Sequence, residues 1–228
     1  MVDVVAERLD GWLQRFASRH GPTEWQAGPD LVLVTASDGA RAECEVPFPP
    51  LVVDSEAAYG GLPDHVRRER RVGVLLVRLG GYAAGVFDGL TLTSSKVGSR
   101  LVHGRNAAGG QSQQRFARRR EGQVRIALHQ AADVAARILL PVVASLDAVV
   151  VGGDRAAVDK VLADPRLAAL RPLVQPRLLD VPDPRLRILT ETPTLFRSVR
   201  IRVVDTLLDP AGHDGDHRDS HRPPAGSA

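Results

Sequence analysis

"VGVLLVRLGGYAAGVFDGLTLTSSKVGSRLV", residues 72–102, holds three β-rich runs separated by Gly80-Gly81 and Asp88-Gly89. Apolar and β-branched runs broken by such turn dipeptides predict an antiparallel meander. The texture then changes at "HGRNAAGGQSQQRFARRREGQ", residues 103–123, where a Gly-Gly pair, clustered glutamines and five arginines leave almost no apolar residue. From about Arg115 a long helix is predicted. Phe116, Val124, Ala127, Ala131, Val134 and Ile138 share one face, Arg118, Arg125, His129, Asp133 and Arg137 lie roughly opposite, and Pro141 ends the pattern. "LDAVVVGGD" reads as a short apolar strand and "RAAVDKVLADP" as a helix, with Asp154 as its N-cap and Asp164-Pro165 as its stop. This strand and helix together make a β-α unit.

Working back toward the N-terminus, Val5, Leu9, Trp12, Leu13 and Phe16 follow helical spacing up to Gly21-Pro22. "LVLVTA" and "RAECEV" flank Ser37-Asp38-Gly39-Ala40, where Asp-Gly predicts a tight hairpin with positive φ angles. Within it, Leu31, Leu33 and Cys44 are expected to face the first helix, with Glu43 and Glu45 turned to solvent. "PFPPL", residues 47–51, breaks regular structure, and "DHVRRERR" then reads as a solvated helix. Farther along, "VQPRLLDV" and "FRSVRIRVV" are strand or helix candidates that periodicity does not settle. The last stretch, "DPAGHDGDHRDSHRPPAGSA", has no apolar pattern and predicts a disordered tail. Its His213, His217 and His221 are four apart, a weak metal tract set against the simpler reading of a solvated tail. The chain is thus expected to divide into an N-terminal helix and hairpin module (1–70), a main domain (71–208) and the tail (209–228).

Composition narrows the function. With 228 residues, 43% of them hydrophobic, there is ample material for a packed core. Only Lys96 and Lys160 among the 30 basic residues are lysine. Arginine grips phosphate through a planar fork, although a GC-rich coding sequence would give the same bias. One cysteine, Cys44, allows no disulfide or cysteine zinc site within the chain and reads as a buried strand thiol. The N-terminus has acids and a helical pattern rather than a basic start and an apolar block, so a cytoplasmic protein is expected. No G-x-S-x-G, H-E-x-x-H or G-x-x-x-x-G-K-[ST] is present to anchor a serine hydrolase, a zincin or a P-loop. Gly-Gly in "VVVGGDRAAV" needs no nucleotide, since a glycine turn serves any strand-to-helix packing.

The loop carries its own chemistry. Gly109 and Gly110 let the backbone bend and bring its N–H groups close to a ligand. Gln111 presents a neutral amide that donates and accepts but does not titrate, so it is no general base. Such a group positions water and lines a site for a developing oxyanion, catalysis by orientation and electrostatics. Arg115, Arg118, Arg119 and Arg120 behind it suit RNA phosphates. With nothing in the loop suited to burial in the protein's own core, it is expected to be mobile until it meets its target.

The string "HGRNAAGGQSQQRFARRRE" closely resembles the Gly-Gly-Gln loop of the eukaryotic and archaeal class I peptide-chain release factors. His-Gly-Arg, then Gly-Gly-Gln-Ser, then Arg-Phe-Ala-Arg recur here, with extra residues between Arg105 and Gly109. The likeness runs from about Val72 to Val181, since that family's middle domain also passes through a meander, the loop, a long helix and a strand like "LDAVVVGGD". Those factors also carry a stop-codon-reading domain and a domain that docks a translational GTPase, and this chain has room for neither at the usual size. The layout looks more like the Vms-like release factors, peptidyl-tRNA hydrolases of ribosome quality control, in an actinobacterial-type version lacking the ankyrin repeats and zinc finger of eukaryotic members.

That resemblance implies an α/β fold with a ribonuclease-H-like mixed sheet of five strands and flanking helices, preceded by the small helix and hairpin module. It also implies hydrolysis of peptidyl-tRNA on stalled large ribosomal subunits, with Gln111, Gly109 and Gly110 catalytic. His103, Arg105, Arg115, Arg118, Arg119, Arg120 and Arg125 become contacts to tRNA or ribosomal RNA. No cofactor or metal is implied, no membrane partner, and a monomer when free. The first core strand, "VGVLLVRLG", has no carboxylate for a two-metal nuclease. Gln113 and Gln114 rival Gln111 as the key amide, because Vms-like members vary the spacing after Gly-Gly, while register with the release factors favours Gln111. An endonuclease cutting the tRNA near its 3′ end and a non-catalytic ribosome-binding factor remain as alternatives.

Overall fold

The computed structural model describes residues 1–78, 80–99 and 112–204, with the backbone alone for 112–120. In chain order its strands are β1 (Val2–Val4), β2 (Thr23–Ala27), β3 (Leu31–Ala36), β4 (Arg41–Glu45), β5 (Arg71–Arg78), β6 (Gly81–Asp88), β7 (Thr91–Ser99), β8 (Ala148–Gly153), β9 (Val174–Leu179) and β10 (Val199–Val204). Its helices are α1 (Leu9–His20), α2 (Leu62–Arg67), α3 (Ser112–Leu139), α4 (Arg155–Leu162) and α5 (Leu186–Phe196). The tail expected beyond 208 and the histidines in it lie outside the described residues.

The main sheet has the order β7-β6-β5-β8-β9. β6 is antiparallel to β5 and β7 to β6, whereas β8 and β9 run parallel to β5. One reversed strand next to the first of an otherwise parallel set is the ribonuclease-H-like arrangement, so the expected fold class stands. Both faces of the sheet are covered, which is why its central strands read as nearly continuous apolar runs. Leu75, Val77, Val149 and Val151 pack beneath α3 and α4, while Val72, Val74, Leu76 and Phe87 meet Leu189 and Phe196 of α5. Segment Glu121–Ser145 is long and apolar enough by composition to cross a membrane, at a mean hydropathy of 1.4. Here its stripe of Ala131, Ala132, Val134, Ala135 and Leu139 is buried in the same core as Val149 and Val151.

The N-terminal module is a second sheet, in the order β1-β10-β4-β3-β2. Leu9, Leu13 and Phe16 of α1 bury against Val32, Val34, Ala42 and Cys44. The hairpin of β3 and β4 forms as expected, with positive φ at Gly39 alone; Asp38 instead accepts from the Ala40 N–H at 2.9 Å. The inward parity of β3 differs from expectation. Val32 pairs with Cys44 and Val34 with Ala42, so these face α1, while Leu31 and Leu33 stand opposite Glu45 and Glu43 on the outer face. "LVLVTA" is apolar at successive positions, and only its partner strand, with a small residue at every second place, selects the buried set.

Two further differences concern the junction. β10, expected inside the domain spanning 71–208, inserts between β1 and β4 instead, pairing Ile201 with Cys44 and Val2. Ile201 is fully buried there, so the module's core is completed by residues far downstream. The basic stretch after the prolines is not wholly solvated: His65 and Val66 on α2 are buried.

Candidate functional site

The segment singled out by sequence, residues 100–111, joins the end of β7 to the start of α3. Gly109, Gly110, Gln111, His103 and Arg105 lie outside the described residues, as do the side chains of Arg115, Arg118, Arg119 and Arg120. What the structure fixes is the frame on either side. Ser99 at the end of β7 pairs with Gly81, and Gly81 pairs with Arg78 at the end of β5. The loop is therefore anchored at the edge where β5 and β8 end, outside the carboxyl ends of parallel strands where open α/β sheets place their ligand sites.

α3 runs back over the sheet in the opposite direction to β5. Leu139 lies beside Gly73 near the start of β5, and Val124, Ala127 and Leu128 lie beside Val77, Gly81 and Tyr82 near its end. The helix begins at Ser112, so its first turns continue past the sheet by about 18 Å at 1.5 Å per residue. A Cβ added at Gly122 would meet no atom within 4 Å, consistent with that overhang. Arg125, at the level where the helix meets the sheet, is exposed. An apolar groove of about 800 Å³ beside it is lined by Val124, Leu128 and Ala132 of α3 and by Ala163 and Pro165.

Lower on the helix an ionic clamp holds α3 in place. Arg166 donates to Asp133 at 2.8 Å and to Asp164 at 2.7 Å, and His129 Nδ1 lies 3.2 Å from Asp133. The Arg166 bonds hold the Asp164 carboxyl down at about 2 and lower Asp133 as well, and the paired carboxylates push Arg166 further up. Asp133 was legible only as part of the helix's polar face; its partner Arg166 is distant in sequence and gave no signal. At the β8–α4 turn, Asp154 accepts from the Ala157 N–H at 3.1 Å, the N-cap expected from sequence. Gly153 has φ +99°, and a Cβ there would lie 2.3 Å from the Val77 carbonyl oxygen, so both the backbone conformation and the packing of the turn call for glycine. Among the described residues no three His, Cys, Asp or Glu side chains converge to hold a metal ion.

A meander, a Gly-Gly-Gln segment and a long helix on a ribonuclease-H-like sheet define a protein of release-factor type. A family model described as "Actinobacteria/chloroflexi VLRF1 release factor" matches residues 70–202, and the chain belongs to that family. No curated protein matches it. Among solved structures it is similar to an archaeal protein, at 19% identity and TM-score 0.39, covering 69% of this chain and 48% of that one. It is also similar to the archaeal translation termination factor aRF1, at 19% identity and TM-score 0.40, covering 68% and 46%. A third is the Vms1 mitochondrial localization core, at 8% identity and TM-score 0.42, covering 85% and 81%. The matched part of this chain spans about half the length of the first two.

Proposed function

We propose that this protein hydrolyses the ester joining a nascent peptide to its tRNA on a stalled large ribosomal subunit, as a factor of ribosome quality control acting in the cytoplasm. The observation that carries the reading is the family match over 70–202, which encloses the whole string from His103 to Glu121. The overhang of α3 supports it, because Gln111 immediately precedes a helix that starts well clear of the body. An active site buried in a ribosomal cleft needs such reach.

Gln111 and the backbone N–H groups of Gly109 to Gln111 orient water on the ester carbonyl and stabilise the oxyanion as it forms. The water's proton goes to the leaving ribose oxygen or to groups the ribosome supplies, since the Gln111 amide does not titrate. His103, Arg105, Arg115, Arg118, Arg119, Arg120 and Arg125 contact phosphates of tRNA and ribosomal RNA. The reaction needs no cofactor, and the free protein works as a monomer. Nothing in the N-terminal module resembles a base-reading surface, so release is indifferent to the codon.

The test is incubation with purified large subunits carrying peptidyl-tRNA. Peptide is expected to be released and the tRNA recovered with an intact 3′ end; Gln111→Ala abolishes release while leaving subunit binding nearly unchanged. Shortened tRNA would replace the hydrolase by an endonuclease. Full release by Gln111→Ala, with loss in Gln113→Ala or Gln114→Ala, would move the key amide along the loop. Release only on whole ribosomes bearing a stop codon would make the protein a termination factor.

A further inference from the structure

We propose that the corner formed by Arg68, Arg70 and Arg197, at the opposite end of β5 from the Gly-Gly-Gln segment, binds a backbone phosphate of RNA. The inference rests on the reading that the protein works on the ribosome, and it adds a contact surface outside the loop and α3. Arg68 and Arg70 occupy the link between α2 and β5, and Arg197 follows the last residue of α5. Together with Arg67 they line a cavity of about 130 Å³, floored by Phe48 and Phe196 and bordered by Glu7 and Glu69. At roughly 30 Å³ per water that space suits one phosphate group.

The charges at this corner are not balanced by the protein. Arg67 pairs with Asp10, and Arg197 lies 3.2 Å from Glu7. Arg68 and Arg70 have no carboxylate partner in ion-pair range among the described residues. Arg68 is exposed, while Arg70 is half-buried with its guanidinium 4.9 Å from the Phe48 ring centre. Arg70 is also held in one orientation, donating through Nη1 to the His65 carbonyl at 2.9 Å and the Arg68 carbonyl at 3.2 Å. Burial lowers the His65 imidazole, and Arg70 and Arg68 lower it further against the raising effect of its contact with the Pro47 carbonyl.

A solvated basic surface would let these side chains spread apart. Here burial lowers Arg70, the positive Arg68 and Arg197 lower it further, and Asp147 offsets only part of that. A fixed guanidinium beside a free one, in a pocket of net positive charge, is a phosphate receptor. The Phe48 face is already taken by Arg70 and Phe196 is buried edge-on against Phe48 and Phe87, which leaves no open ring for a base to stack on. Recognition is therefore of phosphate and independent of sequence. β5 runs from Arg71 to Arg78, so the corner lies about 23 Å from the edge where the loop is anchored, at 3.3 Å per residue. It engages a different stretch of RNA from the loop.

The test measures binding of the full protein to purified large subunits and to a short single-stranded RNA across a salt series, without reference to peptide release. Arg68→Ala should weaken both several-fold and lower the slope of log affinity against log salt by roughly 0.7 to 0.9. Arg68→Glu should weaken them further, and Glu69→Gln should tighten them. Because Arg68 and Glu69 are exposed, these variants keep the fold. Unchanged affinity and slope in both Arg68 variants would overturn the inference. So would an Arg68→Glu protein that loses the subunit yet still binds RNA normally, which would make the corner a protein contact. Loss of release in Gln111→Ala is a separate reading: an Arg68-dependent RNA affinity in a protein that releases no peptide would sink the proposed function and leave this surface standing.

Discussion

Arg177 on β9 donates to Asp3 on β1 at 2.9 Å, an ion pair that ties the edge of the main sheet to the first strand of the N-terminal module. The same guanidinium donates to the Ser198 carbonyl at 2.9 Å, just before β10. A single side chain thus fastens three segments from distant parts of the chain. Arg177→Ala is expected to destabilise the protein by about 1–3 kcal/mol, because it strands the buried Ser198 as well as Asp3. Asp3→Ala, removing an exposed carboxylate, should cost under about 1 kcal/mol. Urea unfolding of both variants checks this, and equal losses would show that the bond to Ser198 contributes nothing.

Cys44 is fully buried between α1 and its sheet, and burial pushes its thiol up to about 12. In the folded protein it should resist alkylation at pH 8 and react at the rate at which the module opens. The sign of its pH effect follows from the raised value. Whatever it contributes is fully present below the thiol's unfolded range near pH 9 and is lost as pH rises toward 12. Rapid labelling of the native protein at pH 8 would show that the module is not closed around α1.

The clamp on α3 has the opposite sign. Bonding to Arg166 depresses Asp164 to about 2, so its contribution is present above the ordinary carboxylate range and lost as pH falls from about 4 toward 2. Comparing wild type with Asp164→Asn by urea unfolding should give a difference at pH 6 that shrinks by pH 2.5. A difference that stays constant with pH would remove the charge of Asp164 from the account.

Arg118 and Arg119 are proposed phosphate contacts on the overhanging part of α3. Alanine variants of each should weaken binding to large subunits and reduce the salt slope by roughly 0.7 to 0.9, with the catalytic step unaffected once the complex is saturated. If their release rates at saturation fall as far as that of Gln111→Ala, the separation of binding from chemistry fails.

The main sheet was largely legible because its determinants are local. The turns at Gly80-Gly81 and Asp88-Gly89, the apolar stripe of α3 and the capped turn at Asp154 each lie within a short window. The module was less so. β2, "TEWQA", places Trp25 between Glu24 and Gln26 and has no apolar run to announce it. The parity of β3 depended on Ala42 and Cys44 across the ladder. β10 lies in a stretch that periodicity left open between strand and helix, and nothing in "VRIRVV" says that its neighbours are residues 2–4 and 41–45. The motif at Gly109 to Gln111 was visible because it is a short string. The arginine corner was not, because its members belong together only after α5 has packed against β5.

The late arrival of β10 bears on how the chain is made. Synthesis proceeds from the N-terminus, so β1 and β4 are finished while the strand that separates them is still to be translated. At about 5–20 residues per second that interval is on the order of ten seconds. During it the nascent chain carries two unpaired strand edges and an open place where Ile201 will sit, the kind of surface that recruits chaperones or mispairs with a neighbouring chain. A protein proposed to clear stalled ribosomes thus completes its own first module only after its last described strand has left the exit tunnel.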